Sequence, residues 1–241
     1  MINTVYRLVA PRRFEIAFVR PTYLSICNAD MRYYLGTRDA KVLAEKLPMA
    51  LIHEGVGEVF LDPTGTFKTG DKVVMVPNAP VEKDEFIAEN YLRSSKFCGS
   101  SMDGFLQEFV EISPKRLVKL PDDIDMTVAA FTEIVSVSVH AISRFDKIAH
   151  ARRNTISVWG DGNLGYITSL FLKYHFPKSK IVVFGTSSDK LADFTFADET
   201  HLVNEVPDGF TTDHAFECVG GNGSPIAIEQ IIGLIKPEGT I

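Results

Sequence analysis

The sequence is poor in cysteine and has no long apolar run. Its 241 residues contain three cysteines, Cys27, Cys98 and Cys218, which are odd in number and far apart. This pattern argues against a disulfide framework and favours a reducing cytoplasm. No apolar stretch approaches the roughly 20 residues that cross a bilayer, and the N-terminal segment MINTVYRLVAPRRFEIAF lacks the apolar centre of a signal peptide. We therefore expect a cytoplasmic protein with no membrane partner.

Positive charge is also in deficit, since the formal net charge is −6. A surface that binds nucleic acid needs a basic face, so we expect no nucleic-acid partner. A small anionic ligand remains compatible, because a few local Arg or Lys side chains suffice to bind it. The composition, 45% hydrophobic and 23% charged residues, is that of an ordinary globular protein.

The first half of the chain has the pattern of short β-strands. Apolar runs at 56–61, 72–76 and 105–112 are separated by turns rich in Gly, Pro and Asp. Close spacing of such turns is typical of a small barrel of short antiparallel strands. The segment 82–96 is polar, carries charges of both signs and has helical character, so we expect a solvated excursion there.

The second half alternates strands with helices. Residues 122–146 have apolar side chains at helical spacing. Beyond them, strands are predicted at Thr155–Trp159, 180–184, 201–206 and 214–219, and helices at 164–176 and 226–235. This alternation predicts a parallel sheet covered on both faces. We expect domains at 1–146 and 147–241, the second incomplete at its C-terminus because the chain stops at Ile241 as a further strand opens.

A glycine motif follows the first strand of the second half. Thr155–Trp159 leads into GDGNLG, residues 160–165, and then into an amphipathic helix. In this context Gly160 permits a tight turn, Gly162 a close approach to pyrophosphate, and Gly165 close packing of helix on strand. Leu164 lies in the first turn of the helix, whose free N–H groups and dipole favour phosphate. The pattern predicts a dinucleotide site.

The residues after the second strand bear on the choice of dinucleotide. An acidic residue about 20 positions beyond the last motif glycine holds the adenosine ribose of NADH, and here that position is Gly185. The loop beyond it offers hydroxyl groups and a cation, in Thr186, Ser187 and Lys190, which suit a 2′-phosphate. We therefore expect NADPH in preference to NADH. The alternative is that the loop merely caps a helix, with Lys190 in solvent.

Three residues of the first half can ligate a metal. Cys27 follows an apolar segment, and the adjacent pair His53 and Glu54 opens another. Each taken alone has a structural interpretation, because a single cysteine is commonly a small buried apolar residue and a single histidine a hydrogen-bonded core residue. Their combination with later motifs changes this interpretation.

The order of these motifs resembles the zinc-dependent medium-chain dehydrogenase/reductase family across essentially the whole chain. The resemblance implies a GroES-like β-barrel domain followed by a Rossmann doubly wound parallel sheet, with a catalytic zinc between them. The motifs are, in order, Cys27, His53-Glu54-Gly55-Val56-Gly57, Gly70-Asp71-Lys72-Val73, Asp103-Gly104-Phe105, Thr132-Glu133-Ile134-Val135-Ser136 and the glycine motif.

By the same resemblance, Cys27 and His53 match the first two zinc ligands and Glu133 the third. Glu54 matches an acidic residue that enters the zinc shell in some members. One thiolate, one imidazole and carboxylates form an open catalytic zinc site. Asp30 matches a residue that orients a ligand or lies near the nicotinamide.

Two features depart from the family pattern. Ala29 and Arg32 replace the hydroxyl and histidine of a proton relay, so the proton must come from water, Tyr33, Tyr34 or a carboxylate such as Glu54. The lobe that holds a structural zinc in relatives corresponds to about residues 80–100 and has one cysteine, Cys98. We therefore expect one catalytic zinc and no structural zinc, with Cys98 and Cys218 outside the metal site.

Segments 23–36, 47–55, 89–95 and 159–166 are similar to the ribulose-5-phosphate reductases of bacterial teichoic-acid and capsule synthesis. This resemblance implies NADPH-dependent reduction of D-ribulose 5-phosphate to D-ribitol 5-phosphate, with zinc polarising the ketone. Arg32 would then grip the substrate phosphate, with Arg38 and Lys41 as weaker candidates. The resemblance is also compatible with a homodimer and with association with a cytidylyltransferase of the same pathway.

Three alternatives remain open at this point. One is another zinc-dependent polyol or alcohol dehydrogenase of the same fold. Another is a metal-free relative of the quinone reductases, which lack the Cys27 and His53 pair. The last is a truncated, inactive fragment.

Overall fold

A computed structural model describes residues 16–241 of the chain. The chain divides into two compact units, Met1–Glu133 and Ile134–Ile241. No helix in the described part is both long and apolar enough to cross a membrane. Most of the N-terminal segment on which we argued against a signal peptide lies outside the described residues.

The first unit is built on a five-stranded antiparallel sheet with the order β6-β1-β2-β3-β7, beside a two-stranded sheet of β4 and β5. Short helices and two 3-10 turns, Glu89–Tyr91 and Pro114–Arg116, complete it. The elements are β1 (Ala17–Ser25), α1 (Asn28–Tyr34), α2 (Ala40–Lys46), β2 (Glu54–Leu61), β3 (Lys72–Met75), β4 (Asn78–Ala79), β5 (Lys96–Phe97), β6 (Val110–Ile112), β7 (Leu117–Lys119) and α3 (Met126–Ala129).

The hydrophobic core of this unit is formed by side chains at alternating positions along the strands. Val19 on β1, Val73 and Met75 on β3, and Ile112 on β6 are almost fully buried and pack around Phe105. Burying such side chains stabilises the fold by about 1.5–3 kcal/mol each. A second cluster, centred on Val56 of β2, packs against α3.

Two predictions for the first unit need correction. The predicted strand 105–112 is a strand only at Val110–Ile112, because the backbone N–H groups of residues 104–106 instead donate to carbonyls of residues 50–52. The expected helical character of 82–96 reduces to one 3-10 turn, since the Asp84 carboxylate accepts from the N–H groups of Phe86 and Ile87 and fixes a turn. Strand β1 was not predicted.

The second unit contains a four-stranded parallel sheet with the order β10-β9-β8-β11. This is the 3-2-1-4 order of a doubly wound dinucleotide-binding sheet. Its elements are α4 (Thr132–Ile148), β8 (Thr155–Trp159), α5 (Asn163–His175), β9 (Lys180–Gly185), α6 (Ser188–Leu191), β10 (Glu199–Leu202), β11 (His214–Glu217) and α7 (Ser224–Leu234), where α4 begins at the last two residues of the first unit.

Two clusters cover the two faces of this sheet. Ile156 and Val158 of β8 pack with residues of α4 and α5 on one face. Trp159 and Val182 pack with α7 on the other. The doubly wound arrangement predicted from the sequence is therefore confirmed.

The helices of this unit differ from prediction in their buried faces and bounds. Helix α5 buries Gly165, Thr168, Ser169 and Leu172, whereas Leu170 and Tyr174, which belong to the apolar side of the helical pattern in the sequence, are exposed. The predicted helix 122–146 is two helices, α3 and α4, and the Thr132 hydroxyl donates to the Ala129 carbonyl at 2.6 Å where they separate. The domain boundary was predicted near residue 147, whereas the chain divides between Glu133 and Ile134, near the N-terminal end of α4.

Candidate metal and dinucleotide sites

Cys27 stands at the N-terminus of α1, directly after β1. Its Sγ accepts a hydrogen bond from the Ala29 N–H at 3.5 Å, so the side chain caps the helix. The Asp30 carboxylate, three residues later, accepts from the Cys27 N–H at 3.2 Å. This reciprocal arrangement is a capping box, and it fixes the thiol relative to the first turn of α1.

His53 follows a backbone position of unusual conformation. Ile52 has a φ of 72°, in the left-handed region that a β-branched residue rarely adopts. Its N–H donates to Asp30 Oδ1 at 2.9 Å, and its carbonyl accepts from the Phe105 N–H at 2.7 Å. These bonds hold the bend that turns the chain into His53 and then into β2.

Two glycines allow this bend to pack. A Cβ added to Gly104 would lie 2.2 Å from the Ile52 carbonyl oxygen and 2.3 Å from that of Leu51. A Cβ on Gly99 would lie 3.2 Å from the Ile52 nitrogen. The Asp103-Gly104-Phe105 motif identified in the sequence therefore supports the segment that precedes His53.

The structure brings three predicted ligands together. One donor atom each from Cys27, His53 and Glu54 lies within 4.8 Å of the others. Glu54 is 2% exposed and His53 is 7% exposed, and the distance from His53 Nε2 to Glu54 Oε1 is 3.9 Å. A thiol, an imidazole and a carboxylate converging in a largely buried position form a donor set that suits Zn²⁺.

Asp30 lies behind the imidazole. Its Oδ2 is 3.6 Å from His53 Nδ1, and Asp30 itself is 3% exposed. Burial lowers the pKa of His53, but the interactions with Asp30 and Cys27 outweigh it and raise that pKa to about 10. Burial raises the pKa of Asp30, and His53 together with the bonded N–H groups lowers it below its usual value. The carboxylate thus favours Nδ1 as the protonated nitrogen and leaves Nε2 toward Glu54.

Glu133, the predicted third ligand, lies in the first turn of α4 and is half-buried. It is not part of the group within 4.8 Å. Burial raises its pKa to about 7; His53 opposes this rise, and the carboxylates Glu54 and Asp30 add to it. The Glu133 carboxylate therefore interacts electrostatically with His53, Glu54 and Asp30, but it is not one of the ligands that converge within 4.8 Å.

The residues predicted to handle substrate differ in exposure. Arg32 is exposed in the last turn of α1, and Lys41 is exposed in α2. Tyr33 is 5% exposed, while Tyr34 is 77% exposed. The Arg38 guanidinium lies over the Tyr33 ring at 4.3 Å from its centroid, and its buried Nε has no hydrogen-bond partner among the described residues. Ala29 offers no hydroxyl.

The glycine motif forms the turn between β8 and α5. Gly160 has a φ of 130°, and a Cβ there would lie 2.8 Å from the Cys218 carbonyl carbon. A Cβ on Gly165 would lie 2.0 Å from the Gly160 carbonyl oxygen, so the helix packs closely on the strand. Gly162 has open space beside it and begins α5, in which Leu164 is half-buried. These are the backbone requirements of a dinucleotide loop.

Asp161 was missed by sequence reasoning. Its Oδ2 accepts hydrogen bonds from the Thr186 N–H at 2.7 Å, the Ser187 N–H at 2.8 Å and the Thr186 hydroxyl at 3.2 Å. Ser187 Oγ in turn accepts from the Lys190 N–H and caps α6. The only available signal was the acidic residue inside the motif.

A cavity of about 420 Å³ adjoins this loop. Lys190 lines it, together with the glycine motif and the residues that follow it in α5. Its lining consists of Asp161, Gly162, Asn163, Tyr166, Lys190, Asp193 and Phe194.

The other two cysteines have structural partners. Cys98 is 3% exposed, and the Arg116 guanidinium donates to its Sγ at 3.0 Å. Burial raises the pKa of Cys218 to about 12, with Thr168 opposing and Glu217 adding to the rise. Neither belongs to the Cys27 group.

The comparisons with known proteins agree with this architecture. The alcohol dehydrogenase GroES-like domain matches residues 15–122. Ribulose-5-phosphate reductase 1 of Staphylococcus aureus is 56% identical over 100% of this chain and 74% of its own length. Ribulose-5-phosphate reductase of Bacillus spizizenii is 54% identical over the same shares. A crystal structure of S. aureus TarJ in complex with NADPH has a TM-score of 0.78 and 48% identity, covering 98% of this chain and 72% of that one.

The chain belongs to the medium-chain dehydrogenase/reductase family. Within that family it is similar to the ribulose-5-phosphate reductases.

Proposed function

We propose that this chain reduces the ketone of D-ribulose 5-phosphate to D-ribitol 5-phosphate, using NADPH and a zinc ion. The observation that carries the proposal is the group of Cys27, His53 and Glu54, with ligand atoms within 4.8 Å of one another. This group lies in a chain 56% identical over its full length to a ribulose-5-phosphate reductase.

The proposed metal ligands are Cys27, His53 and Glu54, with Glu133 as a further carboxylate close enough to act electrostatically. Three protein ligands leave a position for substrate, as in catalytic zinc sites. Zinc bound there would polarise the ketone and stabilise the negative charge that develops on its oxygen. We propose a single catalytic zinc.

The protein residues around the ligands have separate roles. Asp30 orients the His53 ring and holds the proton at Nδ1, so that Nε2 is available for ligation. Because Ala29 offers no hydroxyl, the proton for the sugar oxygen comes from water or from a carboxylic acid that does not ligate the metal, such as Glu133, whose pKa is raised to about 7. Because Tyr34 is 77% exposed, we assign it no role in proton delivery.

The substrate phosphate requires a cation. We propose Arg32 for this role, as expected from the sequence, with Arg38 as the alternative because its buried Nε has no hydrogen-bond partner within residues 16–241. Arginine binds phosphate with several donors at once.

NADPH supplies the hydride, and the glycine loop with Thr186, Ser187 and Lys190 is proposed to bind it. In support, the relative TarJ binds NADPH. We further propose cytoplasmic location, a homodimer, association with a cytidylyltransferase of the same pathway, and a role in teichoic-acid synthesis.

The proposal is tested by following NADPH oxidation with ribulose 5-phosphate, unphosphorylated ribulose and xylulose 5-phosphate, each with and without a chelator. We expect turnover with ribulose 5-phosphate that the chelator abolishes and added zinc restores. Turnover that no chelator affects would favour the metal-free alternative. Equal rates with ribulose would contradict the phosphate-binding role of the arginines.

A further inference from the structure

Asp161 fills the space in which a side chain from the end of β9 would lie. A Cβ added to Gly185 would be 2.7 Å from the Asp161 Cβ and 2.9 Å from its Oδ2. In dinucleotide-binding folds, the residue about 20 positions after the last motif glycine supplies the carboxylate that contacts the adenosine ribose. Here glycine occupies that position, and the carboxylate reaches the same place from the glycine motif.

The Asp161 carboxylate is fixed in this place. Two backbone N–H groups and one hydroxyl donate to its Oδ2, at 2.7, 2.8 and 3.2 Å. Burial raises its pKa, but these bonds and the charge of Lys190 outweigh burial and hold the pKa below its usual value. Asp161 is therefore negatively charged at neutral pH.

A cation lies in the same cavity. Lys190, in α6, lines it together with Asp161 and Tyr166. The cavity thus presents one fixed negative and one positive group where the adenosine end of a dinucleotide would lie. The two groups have opposite effects on a 2′-phosphate, because the carboxylate repels it and the ammonium attracts it.

We propose that Asp161 and Lys190 together determine the selectivity between NADPH and NADH. The Asp161 carboxylate accepts from a ribose hydroxyl and weakens binding of the 2′-phosphate, while Lys190 strengthens it. The proposal rests on the proposed function, in that residues 160–165 bind the dinucleotide. Removing the charge of Asp161 therefore increases the selectivity for NADPH over NADH.

A purely structural role for Asp161 predicts a different result. In Asp161→Asn the amide oxygen still accepts from the Thr186 and Ser187 N–H groups, so the loop keeps its anchor and only the charge is lost. If Asp161 did no more than tie the loop, this variant would change the binding of all adenosine nucleotides to the same extent.

The test uses two fragments that differ in the 2′-phosphate, adenosine 2′,5′-bisphosphate and AMP. Their dissociation constants are measured by calorimetry for the unchanged chain, Asp161→Asn, Lys190→Gln and the control Asp208→Asn. Asp208 is exposed and lies outside the cavity lining, in the same unit. Thermal unfolding of each variant monitors folding.

We expect Asp161→Asn to tighten the bisphosphate relative to AMP by about fivefold, and Lys190→Gln to weaken it by about fivefold, with both effects reduced at high salt. Asp208→Asn should leave the preference for the bisphosphate over AMP unchanged. An unchanged or weaker preference for the bisphosphate in Asp161→Asn would overturn this proposal alone. If the unchanged chain binds neither fragment, the dinucleotide assignment in the proposed function fails as well.

Discussion

The Asp30 carboxylate lies 3.6 Å from Nδ1 of His53 and at the same time accepts hydrogen bonds from the backbone on both sides of the proposed metal site. One oxygen accepts from the Ile52 N–H, next to His53, and the other from the Cys27 N–H. A single side chain therefore connects the two segments that supply the sulfur and imidazole ligands. Carboxylates behind ligating histidines strengthen metal binding in this way.

Replacing Asp30 by Asn should weaken zinc binding by about 10–100-fold. The amide keeps an oxygen for one of the backbone N–H groups but loses the charge that orients His53. Competition with a chromogenic chelator measures the affinity, and Asp123→Asn, an exposed carboxylate, is the control. Wild-type affinity in the Asp30 variant would show that the carboxylate does not assist the histidine.

Gly104→Ala should destabilise the first unit and reduce its zinc content. The new Cβ would meet two carbonyl oxygens, of Leu51 and Ile52, at less than van der Waals distance, so the segment before His53 must move. We expect a loss of about 1–3 kcal/mol in the free energy of unfolding, measured by urea denaturation.

Gly233→Ala is the matched control for this substitution, since apart from its chain neighbours and the helix's own backbone no atom of the described residues lies within 4 Å of the added Cβ. Gly233 lies within helix α7, where alanine is favoured by about 0.5–1 kcal/mol. Equal stabilities for the two variants would contradict the packing that we describe around Ile52.

Acid should destabilise the second unit through His214. This histidine is fully buried, accepts from the Thr240 N–H at Nδ1 and lies with Nε2 3.1 Å from the Arg152 carbonyl. Burial and the neighbouring His150 lower its pKa below 6.5, with the backbone contacts opposing. The unfolded chain thus binds a proton at higher pH than the folded one, so the contribution to stability is complete above pH 6.5 and declines as the pH falls below it.

The free energy of unfolding, measured at several pH values below neutrality, checks this prediction. His53 acts in the opposite direction, because its raised pKa keeps it protonated in the metal-free folded state while the unfolded chain binds this proton only near pH 6.5, so its contribution to stability is complete below that pH. The slope of the free energy of unfolding against pH should be smaller in His214→Asn than in the unchanged chain. An identical slope would assign the acid sensitivity to other groups.

The two arginines of the first unit should differ in their effect on substrate binding. If Arg32 grips the phosphate, Arg32→Gln raises the KM for ribulose 5-phosphate by about tenfold or more while leaving that for unphosphorylated ribulose unchanged. If Arg38 binds the phosphate instead, Arg38→Gln raises the KM for ribulose 5-phosphate and leaves that for unphosphorylated ribulose unchanged. Lys68→Gln, which removes an exposed charge from the turn between β2 and β3, serves as the control. Unchanged KM values in both arginine variants would contradict an arginine grip.

Much of the second unit was predictable because its signals are local. Strand Thr155–Trp159 has the predicted bounds, and β9 and α5 are within one residue of theirs. The exposed side chains of α5 were not predictable, because Thr168 and Ser169 are buried by close packing that a hydrophobic pattern does not reveal. Asp161 was missed since its partners, Thr186 and Ser187, are distant in sequence.

In the first unit, the sequence identified Cys27, His53 and Glu54 by family resemblance, and the structure brings these residues together. Spacing alone did not predict their convergence, because it depends on long-range contacts such as Asp30 with Ile52 and Phe105 with Ile52. Glu133 matched a ligand position by resemblance, but its charge interacts with the group from outside it. The prediction of a strand over 105–112 was wrong at its N-terminal end for the same reason, because the backbone N–H groups there donate to carbonyls of the segment before His53.

The most direct test of the account is the zinc content of the purified protein and of three single variants, measured by mass spectrometry. We predict one zinc ion per chain in the unchanged protein and in Cys218→Ser, whose thiol lies outside the metal site. Zinc should be lost from Cys27→Ser and from His53→Gln while both remain folded. Zinc retained at the same stoichiometry in these two variants, or absent from the unchanged protein after growth with zinc, would contradict the account.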